Sequence, residues 1–361
     1  MMSNVPVAPV KFISLCLSAM ISVCCACDTA ISQSQLVYKV AWKVELNYCN
    51  SLTASDDRKL LTYLWIEGPG KDARSGLRVV DAETGALIRE ILNTKTGEPE
   101  YQTWRDPQFS KDGAVVATGY SSLISSQSGV IVHRVATGAV VRDLKLPGRL
   151  ADFSLSPDGS QILTRVQLQD PFSLWDVQSG KLIRQYEPKT YSGIGVGGKP
   201  IILQDGRRAL VVSQFAGQVL DLQTSAAVSI EHPAKTFKNA VQYYGDEGIV
   251  ALGSAEGLVS VLRERSRNLS SIFLFPKPPD TYGVPVSISV DGRRLAAGVV
   301  DGTVEVREIT ENIKLGSVRV ATNPVVGVAL LRDDNLAVLS KKTSGGIRAP
   351  QPCTLAVFAK R

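Results

Sequence analysis

The 361 residues are 44% hydrophobic and 20% charged, enough apolar material for a sizeable core and nothing like a disordered or collagenous composition. Forty basic residues oppose 34 acidic ones, a net charge of +6 mixed along the chain; no basic stripe with interleaved aromatics is present, so no nucleic-acid partner is expected. The length fits one large repeat domain or two ordinary ones.

The N-terminus reads as a processing segment, residues 1–26 forming a signal peptide. Lys11 precedes FISLCLSAMISVCCA, a run too short to span a bilayer comfortably and of the right length for a signal-peptide core. Small residues at Cys24 and Ala26 suit cleavage before Cys27. Val23-Cys24-Cys25-Ala26-Cys27 resembles a bacterial lipobox, which implies lipidation of Cys27. Cys24 stands where that pattern has a leucine, and Cys25 or Cys24 is an alternative acceptor. Asp28 resembles the signal that keeps some such lipoproteins on the inner membrane. The implied location is periplasmic or cell-envelope and membrane-anchored, with secretion free of lipid as the alternative. Residues 27–35 are then a tether and 36–361 the folded domain.

Beyond the tether the chain reads as four-stranded antiparallel meanders. Their first hairpin turns lie at Asp56-Asp57, Asp112-Gly113, Asp158-Gly159, Asp205-Gly206, Asp246-Glu247-Gly248, Asp291-Gly292 and Asp333-Asp334. Steps of roughly 41 to 56 residues suit propeller blades. An apolar strand follows each turn, among them KLLTYLWI, QILTRVQ and NLAVLSK, then a third such as FSLWDVQSG or TLAVFAKR. Six repeats show a fourth strand; the seventh ends at Arg361 without one. The spare segment Leu36–Val44 supplies it, which predicts an all-β, seven-bladed propeller closed by an N-terminal strand in the last blade. Tyr38, Val40 and Trp42 are expected on one face of that strand, with Val37, Lys39 and Ala41 on the other.

The repeat around Ser156-Pro157-Asp158-Gly159 and Trp175-Asp176 resembles a WD40 repeat: an SPDG turn, a strand, then a strand ending in Trp-Asp. The resemblance runs from about Ser51 to the chain end and is strongest in this one repeat. The family's Gly-His dipeptide is absent, as is its repeated Asp-His-Ser/Thr-Trp network. A WD40-like propeller is therefore the reading, with protein or peptide binding as the implied role.

Catalytic chemistry is scarce. His133 and His232 are the only histidines, about a hundred residues apart, and make no ligand set. Asp143, Asp176 and Asp221 recur at equivalent positions and read as structural. Gly193–Gly198 resembles a phosphate loop but leads into no helix. No catalytic, cofactor or metal residues are assigned, and no cofactor is expected. Cys49 and Cys353 fall on neighbouring connections of one face, where an exported protein can bridge them.

Connections between second and third strands are long in repeats seven, one and two, which closure makes neighbours. The segment Asn93–Pro107 is expected as a loop opening onto the same face. Lys71, Arg74, Trp104, Tyr120, Lys342 and Arg348 are the candidate contacts, an aromatic and basic mix suited to binding. The leading expectation is a lipid-anchored scaffold for a protein or peptide. The alternatives are a propeller enzyme of lactonase or quinone-dependent dehydrogenase type, and a small-ligand sensor.

Overall fold

Four repeats carry one six-residue code: Thr-Ala-Ser-Asp-Asp-Arg from Thr53, Gln-Phe-Ser-Lys-Asp-Gly from Gln108, Ser-Leu-Ser-Pro-Asp-Gly from Ser154 and Ser-Ile-Ser-Val-Asp-Gly from Ser287. In a computed structural model of the chain each code closes a hairpin. The third-position serine donates to the fifth-position aspartate at 2.5–2.6 Å, as Ser156 does to Asp158. The same hydroxyl accepts the N–H of the first residue of the returning strand, at 2.8–3.1 Å from Leu60, Val115, Gln161 and Arg294. The sixth residue turns back through positive φ, which glycine supplies without strain at Gly113, Gly159 and Gly292. Blade 1 places Arg58 there instead, at φ 59°.

The structure describes residues 36–47, 49–67, 74–92, 102–122, 127–166, 171–186, 199–212, 217–230, 237–242, 248–254, 257–263, 268–275, 284–299, 301–320, 323–341 and 352–361, all within the unit Gln35–Arg361. The proposed leader and tether lie outside them, as do His232 and the glycine run 193–198.

The described residues form seven four-stranded antiparallel sheets. Blade 1 runs through Cys49–Ala54, Leu60–Glu67, Arg74–Asp81 and Leu87–Leu92; blade 2 through Gln102–Phe109, Val115–Ser122, Ser128–Arg134 and Val140–Leu146. Blade 3 comprises Asp152–Leu155, Gln161–Arg165, Phe172–Asp176 and Leu182–Tyr186; blade 4, Lys199–Ile202, Arg208–Val212, Gly217–Asp221 and Ala227–Ile230. Phe237–Gln242, Ile249–Ser254, Leu258–Arg263 and Asn268–Leu274 make blade 5. Val286–Ile288, Arg294–Gly298, Thr303–Glu308 and Lys314–Arg319 make blade 6. Blade 7 takes Val325–Leu330, Leu336–Lys341 and Cys353–Lys360, and its outermost strand is Tyr38–Leu46. First strands touch in ring order, and those of blades 7 and 1 also touch, so the molecule is a closed seven-bladed propeller.

Closure differs in detail from the expectation. The closing strand is Tyr38–Leu46 rather than Leu36–Val44, paired from Tyr38–Lys360 to Leu46–Cys353. Leu36 instead reaches back to blade 6: its N–H donates to the Leu315 carbonyl at 2.9 Å, and it forms a parallel bridge with Gly316. A side chain at Gly316 would collide with the Leu36 carbonyl, so the close approach requires glycine. The facing of the strand is also corrected. Tyr38 and Trp42 are half-buried, but Val40 is 53% exposed. The ladder slips between Val40 and Trp42, and the extra residue rotates the strand there.

Two sets of polar contacts stitch the blades together. At the inner ring, the first residue of the code bonds the next blade's first strand: Thr53 to the Pro107 carbonyl, Gln108 to Phe153 and Leu155, Ser154 to Ile202, Ser287 to Leu330, all at 2.9–3.0 Å. At the rim, outer strands donate to the turn between third and fourth strands of the next blade. Arg89 bonds the Ala136 carbonyl at 2.6 Å, Arg142 bonds Val177 at 2.9 Å, and Arg184 bonds Gln223. Trp42 does the same from the closing strand, its indole N–H reaching the Ala82 carbonyl at 3.3 Å.

Between these polar layers the core is apolar and shared by neighbouring blades. Leu163, Phe172 and Tyr186 of blade 3 pack with Ile202, Ala209 and Val211 of blade 4. Burying one such large side chain stabilises by about 1.5–3 kcal/mol, so every interface contributes to holding the ring rigid.

Candidate functional site

The two faces of the disc differ because meander topology sends alternate turns to opposite ends. Connections between second and third strands open on one face. Their feet are the paired residues Glu67–Arg74 in blade 1, Ser121–Ser128 in blade 2 and Lys341–Cys353 in blade 7. Only the blade 7 connection, residues 342–352, is long; those of blades 1 and 2, residues 68–73 and 122–127, match residues 166–171 between Arg165 and Phe172 of blade 3, which corrects the expected sector of three long connections. The connections themselves, including Lys71, Lys342 and Arg348, lie outside the described residues.

The feet are well anchored. Arg74 is exposed at the start of its strand, opposite Glu67. Glu67 pairs with Arg78 at 3.1 Å, and Arg78 also bonds Glu90 at 2.8 Å while stacking on the Trp65 ring. Ser128 accepts the Leu150 N–H at 2.8 Å and donates to the Gly148 carbonyl. Lys341 is half-buried, and burial lowers its pKa from the ordinary lysine range.

Two expected loop contacts are placed differently. Tyr120 lies inside the strand Val115–Ser122 and is buried with Leu64, Leu77 and Val116 between blades 1 and 2. Its hydroxyl donates to Asp143 at 3.1 Å; burial and that carboxylate hold the phenol well above its ordinary pKa. The alternation Val116–Thr118–Tyr120 carries this signal, since Tyr120 shares a side with the buried Val116. Trp104 belongs to the strand Gln102–Phe109, its backbone opposite Tyr120, and its side chain lies outside the described residues. Residues 102–107 are thus strand rather than loop. Pro107, which reads as a breaker, falls where the ladder slips between Arg105 and Gln108, so its missing N–H interrupts no regular pairing.

The opposite face gathers the turns between first and second strands around the central axis. They enclose an open cavity of about 1770 Å³ lined by Asp56, Asp112, Asp158, Asp291, Arg294 and Arg332, among others. The sequence held a signal for this ring: each such turn follows an innermost strand, so its aspartate falls beside the axis. Asp112, Asp158 and Asp291, with Asp57 beside Asp56, each accept from the serine of their own turn. Burial pushes Asp158 and Asp291 up, but the Ser156 and Ser289 hydroxyls and nearby backbone N–H groups outweigh it and hold both below the usual range. Arg58 is buried and donates to the Ile288 carbonyl of blade 6 at 2.8 Å. Asp334 is buried between Arg294 and Lys360, bonding Lys360 at 2.8 Å.

His133 is a core residue, 4% exposed, in the third strand of blade 2. Burial lowers its pKa to about 4 against a smaller opposing pull from Asp143, so it is neutral at pH 7. Among the described residues no group of three or more His, Cys, Asp or Glu is placed to hold a metal. Asp176 and Asp221 cap their turns: Asp176 accepts from Ser179, Asp221 from Thr224, and these bonds lower both pKa values. Cys353 is fully buried and disulfide-bonded. The side chain of its expected partner, Cys49, lies outside the described residues, as does Cys27. No family model and no curated protein matches the chain.

Proposed function

We propose that the protein is an exported, lipid-anchored, WD40-like propeller that holds a protein or peptide on the face where the connections between second and third strands emerge. The observation that carries the reading is the long connection between Lys341 and Cys353 of blade 7, residues 342–352, on the face and beside the blade that carry the Glu67–Arg74 foot in a closed ring. A ring stitched at hub and rim supplies a rigid base, and variable loops on such a base are where recognition concentrates. Support for the WD40-like assignment comes from blade 3, where the Trp175 indole donates to Thr164 Oγ1 at 2.9 Å in the same sheet that carries the SPDG turn. The engagement of the turn aspartates in their own hairpins favours a scaffold over a propeller enzyme.

A photocrosslinking residue at Lys71 or Arg348 in the full chain, compared with one at Ile183, tests the reading. Specific adducts to one protein from Lys71 and Arg348, reduced by Arg74→Glu, are expected. Equal labelling from all three positions would sink it.

A further inference from the structure

We propose that the open cavity on the turn face, away from the long connection of blade 7, is a second binding site and takes an extended polypeptide segment carrying lysine or arginine. The hairpins around it are closed by the third, fifth and sixth positions of the code, so their geometry places no demand on the fourth side chain. That position holds Asp56, Lys111, Pro157 and Val290 in blades 1, 2, 3 and 6. Gln204 and Arg332 hold the same place in blades 4 and 7, one past the residue whose N–H bonds the returning strand, Leu203 to Arg208 and Leu331 to Asn335. All six line the cavity, and no two are alike. Repeats that keep a turn and vary one residue beside the axis present a fixed frame with interchangeable contacts, the arrangement by which repeat scaffolds read a partner.

Size, variety and charge select the occupant. At about 1770 Å³ the cavity exceeds the roughly 300–1,000 Å³ that suits a compact small molecule, and it is open, so a chain of several residues fits across it. Six unlike side chains match a partner whose own side chains differ along its length. Seven aspartates and five lysines or arginines line the cavity. Asp334 takes up Arg294 and Lys360, and Asp57 lies 3.8 Å from Lys59, which leaves five aspartates against Lys111, Arg332 and Arg361. Three of the five, Asp112, Asp158 and Asp291, accept from neutral serines, which do not cancel their charge. A cleft of that sign draws a cationic side chain. Val290, 41% exposed, offers an apolar seat for a neighbouring aliphatic one. The frame is braced: buried Arg58 donates to the Ile288 carbonyl at 2.8 Å, joining the turn of blade 1 to that of blade 6 past the intervening blade 7. Little of the cavity then needs ordering on binding.

The test is selection from a displayed library of random peptides on the full chain, with binding of the selected peptides read by fluorescence anisotropy. Peptides rich in lysine or arginine are expected. Val290→Lys should weaken them about tenfold or more, and Val290→Asp should tighten them. Val290 is exposed, so both variants should keep the melting temperature. Glu83→Lys changes the charge of an exposed outer turn on the same face, and Arg74→Glu that of the opposite face; neither should alter binding. Equal weakening by Glu83→Lys and Val290→Lys overturns the proposal, assigning the attraction to the surface at large. A selection that enriches nothing, or peptides that ignore both Val290 variants, overturns it too. Peptides lost with Arg74→Glu but not with Val290→Lys belong to the connection face and overturn this site while supporting that one.

Discussion

Blades 3 and 7 share a strand order and are built by different means. Blade 3 is one uninterrupted run of chain, its first turn written in Ser156-Pro157-Asp158-Gly159 and its pairing set by neighbours in sequence. Blade 7 is assembled from both ends of the fold, and its first turn, Leu331 to Asn335, has neither the serine nor the glycine. Asp333 and Asp334 take positive φ there, 54° and 62°. The conformation glycine adopts freely is imposed in blade 7 by tertiary partners: Arg294 and Lys360 hold Asp334, and Arg332 donates to the Asp57 carbonyl at 2.8 Å. A local code can therefore be replaced, but only where the rest of the ring fixes the side chains that stand in for it.

The largest effect should come from breaking closure. A chain starting at Asn47 exposes the whole edge of Cys353–Lys360, and we expect loss of cooperative unfolding and of a soluble monomer in thermal melts and gel filtration. A monomer that melts as sharply as the full chain would show that blade 7 needs no second chain end. The cystine is the next lever. Peptide mapping without reductant should return Cys353 joined to Cys49, and Cys353→Ser should cost about 2–5 kcal/mol in denaturant titration. Linkage to any other cysteine would separate the bridge from closure.

Acid titration tests the local side of the comparison. A neutral buried His133 binds its proton less readily than in the unfolded chain, so stability is intact above about pH 6.5 and falls as pH drops through about 4. The loss is on the order of 3 kcal/mol, and His133→Gln should remove that dependence. Asp158 and Asp291 act at lower pH: their lowered pKa values contribute stability above the unfolded value, lost as pH falls through the folded one. Ser156→Ala should shrink this acid limb by removing the hydroxyl that holds Asp158 ionised.

The smallest changes should differ in sign between the two blades. Gly159→Ala places a methyl group 2.8 Å from Val115 Cγ2 at φ 72°, and should destabilise by about 1–2 kcal/mol. Asp333→Gly, at an exposed residue with φ 54°, should stabilise by up to about 1 kcal/mol. Calorimetry on both variants decides whether blade 7 carries backbone strain that blade 3 avoids.

The sequence by itself determined most of the strands, 102–107 excepted, the count of seven blades and the need for a strand from the other end of the fold. Period-two alternation and Ser-X-Asp-Gly turns are properties of contiguous residues, so they read out without knowledge of neighbours. The tertiary structure decided what depends on partners far along the chain. It placed the closing strand two residues later, turned Val40 outward at a bulge, and drew Tyr120 into the interface of blades 1 and 2. It also gave Arg58 and Asp334 the work of glycine. Which side of a strand meets another blade, and which residue can bear an unfavourable φ, is settled by atoms that only folding brings within reach.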